Sequence, residues 1–186
     1  MARQNNAESI VKSRLSAFLF LEKSGQTAKP LLLSNEIEKK GLVSMIRKFE
    51  TEDTKRVMQI WLEANIETHN FISGDYWLSH YQSVQKQLLQ ADIYVYEQGD
   101  EIQGFVGMTD DYLAGIFVDK KYRSAGIGKS LLDCVRKNYP AFSLNVYRKN
   151  QRAVDFYLRE GLSVAAEGID EDTAQAEYTM VWRQKK

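Results

Sequence analysis

Residues 112–132 read YLAGIFVDKKYRSAGIGKSLL, and the rest of the chain is organised around them. Three bulky apolar residues, Ile116, Phe117 and Val118, stop at the charged turn Asp119-Lys120-Lys121. Beyond Arg123-Ser124-Ala125-Gly126-Ile127-Gly128, apolar residues recur at Ile127, Leu131, Leu132 and Val135. That spacing lays them on one helical face. The stretch predicts a strand, a tight loop and a helix with two glycines at its mouth. Unpaired backbone N–H groups and the positive end of the helix dipole meet there, a combination that suits a phosphate.

Single positions exclude two common phosphate loops. A mononucleotide P-loop needs glycine five residues before the Gly of Gly128-Lys129-Ser130, and Arg123 stands there. The dinucleotide fingerprint needs a small residue three after Gly128, where the chain has Leu131. What fits is R-x-x-G-x-G, from Arg123 to Gly128, after an apolar strand. This resembles the acyl-CoA pyrophosphate loop of the GNAT superfamily of N-acetyltransferases. On these six residues alone, an ordinary strand-to-helix turn with glycines for tight packing stays open.

The chain has 186 residues, enough for one domain with a full core. Its 25 Lys and Arg balance 25 Asp and Glu, so no overall field draws it to nucleic acid or to an anionic membrane. One cysteine, Cys134, excludes a disulfide framework and a cysteine metal cluster and fits a reducing compartment. No His, Cys, Asp and Glu grouping has metal-ligand spacing, so no metal is expected. No apolar run is long enough to span a membrane, and residues 17–21 are too short for a signal-peptide core. A cytoplasmic protein is expected.

Residues 1–44 differ in character from the rest of the chain and sustain no apolar stripe. They form an N-terminal extension, read either as a helical docking arm or as translated leader before a natural start at Met45. Glu38-Lys39-Lys40-Gly41 would be encoded by a purine-rich run upstream of Met45, as a translated ribosome-binding site is. Residues 45–184 form the domain. Residues 46–49 are a short strand, 51–65 a helix with a capping start, and 74–89 a second helix. Strands at 93–96 and 102–108 flank the turn Gln98-Gly99-Asp100. The central strand and its glycine-mouthed helix run to Asn138, before Pro140. A strand at 142–146, a helix at 150–160 closed by Gly161, and strands at 162–169 and 176–182 complete the chain. The order β-α-α-β-β-β-α-β-α-β-β predicts an α/β fold: a mixed sheet of about seven strands with four helices on both faces.

That order is the order of the GNAT fold. A second block, Asn150-Gln151-Arg152-Ala153-Val154-Asp155-Phe156-Tyr157, resembles the superfamily's N-x-x-A-x-x-F-Y segment. Closer likeness is to the small bacterial YiaC/YjaB type, through Thr68-His69-Asn70-Phe71-Ile72, Tyr76-Trp77 and the run Asn145-Val146-Tyr147 to Gln151. The resemblance implies an acetyl-CoA-dependent N-acetyltransferase. It implies that backbone amides of Ser124, Ala125, Gly126, Ile127, Gly128 and Lys129 surround the pyrophosphate, with Arg123 or Lys129 adding charge. It assigns the pantetheine arm to the backbone of Ile116, Phe117 and Val118, makes Asn150 a cofactor partner, and makes Tyr157 the general acid. Tyr157 lies seven residues after Asn150, about two turns on and on one helical face. A core aromatic is the competing reading.

The acceptor is a primary amine, and the YiaC-like resemblance implies a peptidyl lysine. A small polyamine-like or antibiotic-like amine and a non-catalytic acyl-CoA sensor are the alternatives. His69, Phe71 and Tyr147 are expected at the substrate edge, His69 either as base or contact or as a packed histidine. The loop Asp170-Glu171-Asp172, with Glu167 and Glu177, reads either as an acidic rim that attracts cationic amines or as a solvated turn. The general base is undecided among Asp110, Asp111, Glu97 and His69. A monomer or homodimer, with no nucleic acid and no membrane partner, is expected.

Overall fold

The computed structural model describes residues 44–185. The expected docking arm or leader, and with it the division at residue 44, lies outside the described residues except for Ser44. Seven strands form one sheet: β1 (Ser44–Lys48), β2 (Asp92–Gln98), β3 (Glu101–Thr109), β4 (Tyr112–Val118), β5 (Ala141–Tyr147), β6 (Ser163–Ile169) and β7 (Ala176–Arg183), in the order β1-β2-β3-β4-β5-β7-β6. The helices are α1 (Thr54–Thr68), α2 (Gly74–Leu88), α3 (Ile127–Asn138) and α4 (Gln151–Arg159). Every neighbouring pair is antiparallel except β4 and β5.

Strand alternation sorts the core into two layers. Val106 and Met108 of β3, with Leu144 and Val146 of β5, pack under α3 and α4. Phe105 and Tyr147 point the other way, into a cluster with α1 and α2. The stripe read from the sequence on α3 is the one that is buried: Ile127, Leu131, Leu132 and Val135 all lie in the first layer. Burying each such side chain stabilises the fold by about 1.5–3 kcal/mol, and truncating Leu131 to Ala costs about 2–5 kcal/mol.

Several boundaries shift by one to three residues, and the two ends of α1 show why. Residues Thr51–Asp53 form a 3-10 turn rather than the first turn of α1. Asp53 accepts from the Glu50 N–H at 2.8 Å and from Arg47 at 2.6 and 2.9 Å, so its carboxylate anchors the turn to β1. At its other end α1 continues past Asn65 to Thr68. Asn65 and Thr68 turn their side chains back onto the carbonyls of Trp61 and Ala64, which keeps these polar residues inside the helix.

β4 and β5 share a single ladder position, Tyr112 opposite Ser143, where the Ser143 N–H donates to Asp111 O at 2.9 Å. Past it the strands part, and the β4 edge facing β5 has no ladder partner from Leu113 on. No helix among the described residues is long and apolar enough to cross a membrane.

Candidate active site

The parting of β4 and β5 opens a cleft of about 940 Å³, bordered by the ends of α1, α3 and α4. One wall is built from residues 112–132. Asp119 ends β4 and starts a 3-10 turn, Lys120–Tyr122, by accepting from the Lys121 N–H at 2.9 Å. Burial pushes its carboxyl up, but that amide and Arg56, 2.5 Å away, outweigh burial and hold it below the usual range. The loop then passes through two left-handed residues, Ser124 at φ +68° and Gly126 at φ +84°. Gly126 takes that conformation without a side-chain clash. It stands at the N-cap of α3 with no side chain to cap the helix, so the first-turn amides are left to a ligand or to solvent. A methyl at Gly128 would meet Phe156 at 3.6 Å, an ordinary contact. The protein's own packing therefore does not demand glycine there. An uncapped, side-chain-free helix mouth beside an unpaired strand edge fits a diphosphate with an amide-rich tail.

The two cations expected on this wall are otherwise engaged. Arg123 donates from Nε to Val118 O at 3.1 Å and pairs with Glu67 at 3.1 Å. Lys120, at 2.8 Å, and Arg123 together hold the Glu67 carboxyl below its ordinary range. Lys129 pairs with Asp133 within α3. Both still line the cleft, as do Ile116, Phe117, Val118, Ser124, Gly126, Ile127 and Gly128; Ala125 is exposed at the loop tip and does not. Arg152, not among the residues singled out from the sequence, reaches the loop from α4 and donates to Ser124 Oγ at 3.2 Å. Its signal is its place two residues after Asn150, in the first turn of a helix facing the loop.

The second wall is assembled from distant residues. Asn150 caps α4, its Oδ1 accepting from the Ala153 N–H at 3.2 Å. Two turns on, Tyr157 borders the cleft at 7% exposure, and Phe156 lies edge-on to it beneath Gly128. Both rings border the cleft, Tyr157 buried and Phe156 half-buried. His69 ends α1 within a cage of Phe71, Trp77 and Tyr147 rings, with centroids 5.2–5.7 Å away. Its Nδ1 lies 3.1 Å from Asn65 Oδ1 and its Nε2 3.1 Å from Asn150 Nδ2. His69 lines the cleft, whereas Phe71 and Tyr147 stand behind it. Tyr147 is 1% exposed and donates its hydroxyl to Asp170 at 3.1 Å, so it supports the wall instead of forming the edge.

The acidic loop, read either as a rim or as a solvated turn, does not line the cleft, and Glu167, Glu171 and Asp172 are exposed. Asp170 is buried and accepts from the Asp172 and Thr173 N–H groups, which makes it the organiser of its own turn. Glu177 is also buried, with Asn145 of the cleft wall donating to it at 2.6 Å. Of the other carboxylates considered, Glu97 pairs with Arg47 at the β1 edge, and Asp110 and Asp111 turn β3 into β4; none of the three lines the cleft. No grouping of three or more metal-ligating side chains occurs among the described residues.

The sequence model of the acetyltransferase (GNAT) domain matches residues 90–161. The chain is 31% identical over 140 residues to the peptidyl-lysine N-acetyltransferase YiaC of Escherichia coli K12, covering 74% of this chain and 96% of YiaC. It is 26% identical to YjaB, a peptidyl-lysine N-acetyltransferase of the same organism, covering 70% and 90% of the two chains. The fold is shared with the solution structure of apo YjaB from E. coli, at TM-score 0.68 and 24% identity over 77% of this chain and 99% of that one. It is shared also with the PaiA N-acetyltransferase of Thermoplasma acidophilum in complex with coenzyme A, at TM-score 0.64 and 20% identity over 76% and 99%. The family match takes in β4, the loop, α3, β5 and α4, and the chain belongs to the GNAT family of acetyltransferases.

Proposed function

We propose that the protein transfers an acetyl group from acetyl-CoA to the side-chain amine of a lysine in a peptide or protein. The observation that carries the reading is the parting of β4 from β5 beside the uncapped mouth of α3. The names of the relatives, both peptidyl-lysine acetyltransferases, support lysine as acceptor.

Acetyl-CoA, when bound, supplies an acyl thioester. Backbone amides at residues 124–129 hold its diphosphate, and Arg152 adds a cation on the α4 side. The open edge of β4 at Ile116, Phe117 and Val118 pairs with the amide-rich arm as a further strand would. Asn150 Nδ2 carries two hydrogens; one meets His69, and the other is available to a carbonyl of that arm.

Two proton movements complete the transfer. A thiolate of pKa about 8.5 leaves, and Tyr157, at the cleft wall, donates a proton to it. The lysine arrives charged: at pKa about 10.4, roughly one molecule in 2,500 is neutral at pH 7. That proton is lost to solvent at the open mouth of the cleft, and the neutral amine then attacks the thioester carbon.

The test is a panel of lysine peptides and small amines incubated with acetyl-CoA and read by intact mass. A gain of one acetyl group on lysine peptides is expected. Acetylation of small amines alone moves the acceptor assignment, and binding of acetyl-CoA without transfer to any amine overturns the enzymatic reading.

A further inference from the structure

His69 and Asn150 meet in the second wall of the cleft, and the bonds on either side decide which of them donates. The Ala153 N–H donates to Asn150 Oδ1, so the amide nitrogen is the end turned to His69 Nε2, 3.1 Å away. An amide nitrogen only donates, so Nε2 accepts. On the far side, Asn65 Nδ2 donates to Trp61 O at 2.9 Å, which leaves Asn65 Oδ1 facing His69 Nδ1 at 3.1 Å. Oxygen accepts, so Nδ1 carries the hydrogen. One form of the ring satisfies both contacts: the neutral imidazole protonated at Nδ1.

We propose that neutral His69 is a latch that positions Asn150, and through it the start of the helix that carries Tyr157. The inference rests on the acetyl-transfer reading and adds a positioning residue to it. The chain Trp61–Asn65–His69–Asn150–Ala153 ties the end of α1 to the start of α4 and so holds the second wall of the cleft together. It also fixes the plane of the Asn150 amide and leaves the second hydrogen of that amide for the ligand.

Protonation undoes the latch. A hydrogen on Nε2 meets the hydrogens of Asn150 Nδ2, donor against donor, at a histidine that is 5% exposed. Turning the amide over satisfies the imidazolium but withdraws Oδ1 from the Ala153 N–H and uncaps α4. Charged and titratable groups surround the ring from several elements. Tyr147 of β5 packs edge-on with its hydroxyl on Asp170, Lys149 lies 5.3 Å over the Phe71 ring, and Tyr157 of α4 borders the same cleft. Trp77 is the α2 contact. Lys149 opposes a second positive charge, and Asp170 acts in the opposite sense through Tyr147.

Two variants separate the latch from plain packing. His69→Gln places an oxygen at the Nε2 position and takes up no proton near neutrality; His69→Leu fills the cage without an acceptor. His69→Gln is expected to keep acetyl-CoA affinity within about threefold of wild type and to lose the steepening that His69 protonation adds to the acid limb of the pH–rate profile, the slope from the lysine's own proton remaining. His69→Leu is expected to lose about tenfold in kcat/KM across the pH range. Independently of turnover, nitrogen NMR of the His69 ring should show Nδ1 protonated and Nε2 bare at neutral pH, with the Asn150 side-chain amide signals moving as His69 titrates. A ring protonated at Nε2, or an acid limb that steepens equally in His69→Gln, overturns the latch. A protein with the Nδ1–H ring that transfers no acetyl group to any amine sinks the acetyl-transfer reading while leaving the latch in place.

Discussion

The two walls of the cleft are built in opposite ways. The wall of β4, the loop and the first turn of α3 comes from one continuous run, residues 112–132, and what it offers a ligand is backbone: an open strand edge and uncapped amides. The other wall collects Asn65, His69, Trp77, Asn145 and Asn150 from α1, α2, β5 and the cap of α4, and offers side chains. Backbone recognition tolerates most side-chain changes but not a bulkier residue at a contact point. Side-chain recognition fails at single atoms. The same substitution therefore means different things on the two sides.

The largest expected effect tests the residue assigned as proton donor. Tyr157→Phe should lower kcat by about 100-fold with acetyl-CoA affinity nearly unchanged, because it removes one proton donor and little volume. Stopped-flow turnover with calorimetric binding checks this; a loss of affinity with kcat intact would make Tyr157 a packing residue. On the backbone wall, Gly128→Ala should weaken acetyl-CoA binding about tenfold while the melting temperature holds or rises, since alanine is up to about 1 kcal/mol better than glycine in a helix. A lowered melting temperature with normal affinity would show that glycine serves packing there.

Arg152→Ala and Arg123→Ala form a sharper pair. Arg152→Ala should weaken binding by about threefold, a difference that fades at high salt, as suits one solvated cation near a phosphate. Arg123 holds Glu67 and the β4 carbonyl, so its removal should show in thermal stability before it shows in affinity. Finding the reverse would exchange their roles.

Acid stability gives the smallest effect and lies away from the cleft. The hydrogen bonds from Arg47 hold the Asp53 carboxyl below its ordinary range. A carboxyl depressed in the folded state adds stability that is complete above its unfolded value, about 3.9, and is lost as pH falls through the lower folded value. Urea midpoints should therefore be level from neutral to about pH 5 and drop below about pH 4, with Asp53→Asn less stable at neutrality and flatter in acid. Equal slopes in the two proteins would remove Asp53 from the acid transition.

The same contrast explains what the sequence made legible. The backbone wall is local, so spacing alone located it: the stripe at Ile127, Leu131, Leu132 and Val135 is buried as read, and the glycine mouth lies where the pattern put it. Element order was legible for the same reason, since each strand and helix carries its own periodicity. Arg123 was harder, because its partner Glu67 ends a helix more than fifty residues earlier and spacing says nothing of it. His69 left its two readings open for a related reason. Its role is set by Asn65 one turn before it and by Asn150, 81 positions on, and only the fold brings the second into contact. Asp170 and Glu177 looked like surface charge in a polar loop; the first folds inward to cap its own turn, and the second rides a strand whose alternation points it at Asn145.

Amide chemical-shift mapping during an acetyl-CoA titration tests the central claim most directly. The largest shifts are expected at the backbone amides of Ile116, Phe117 and Val118, at residues 124–129, and at the side-chain amide of Asn150, all saturating together at one ligand per chain. Saturable shifts confined to another surface, or none with any coenzyme A species, would contradict the account.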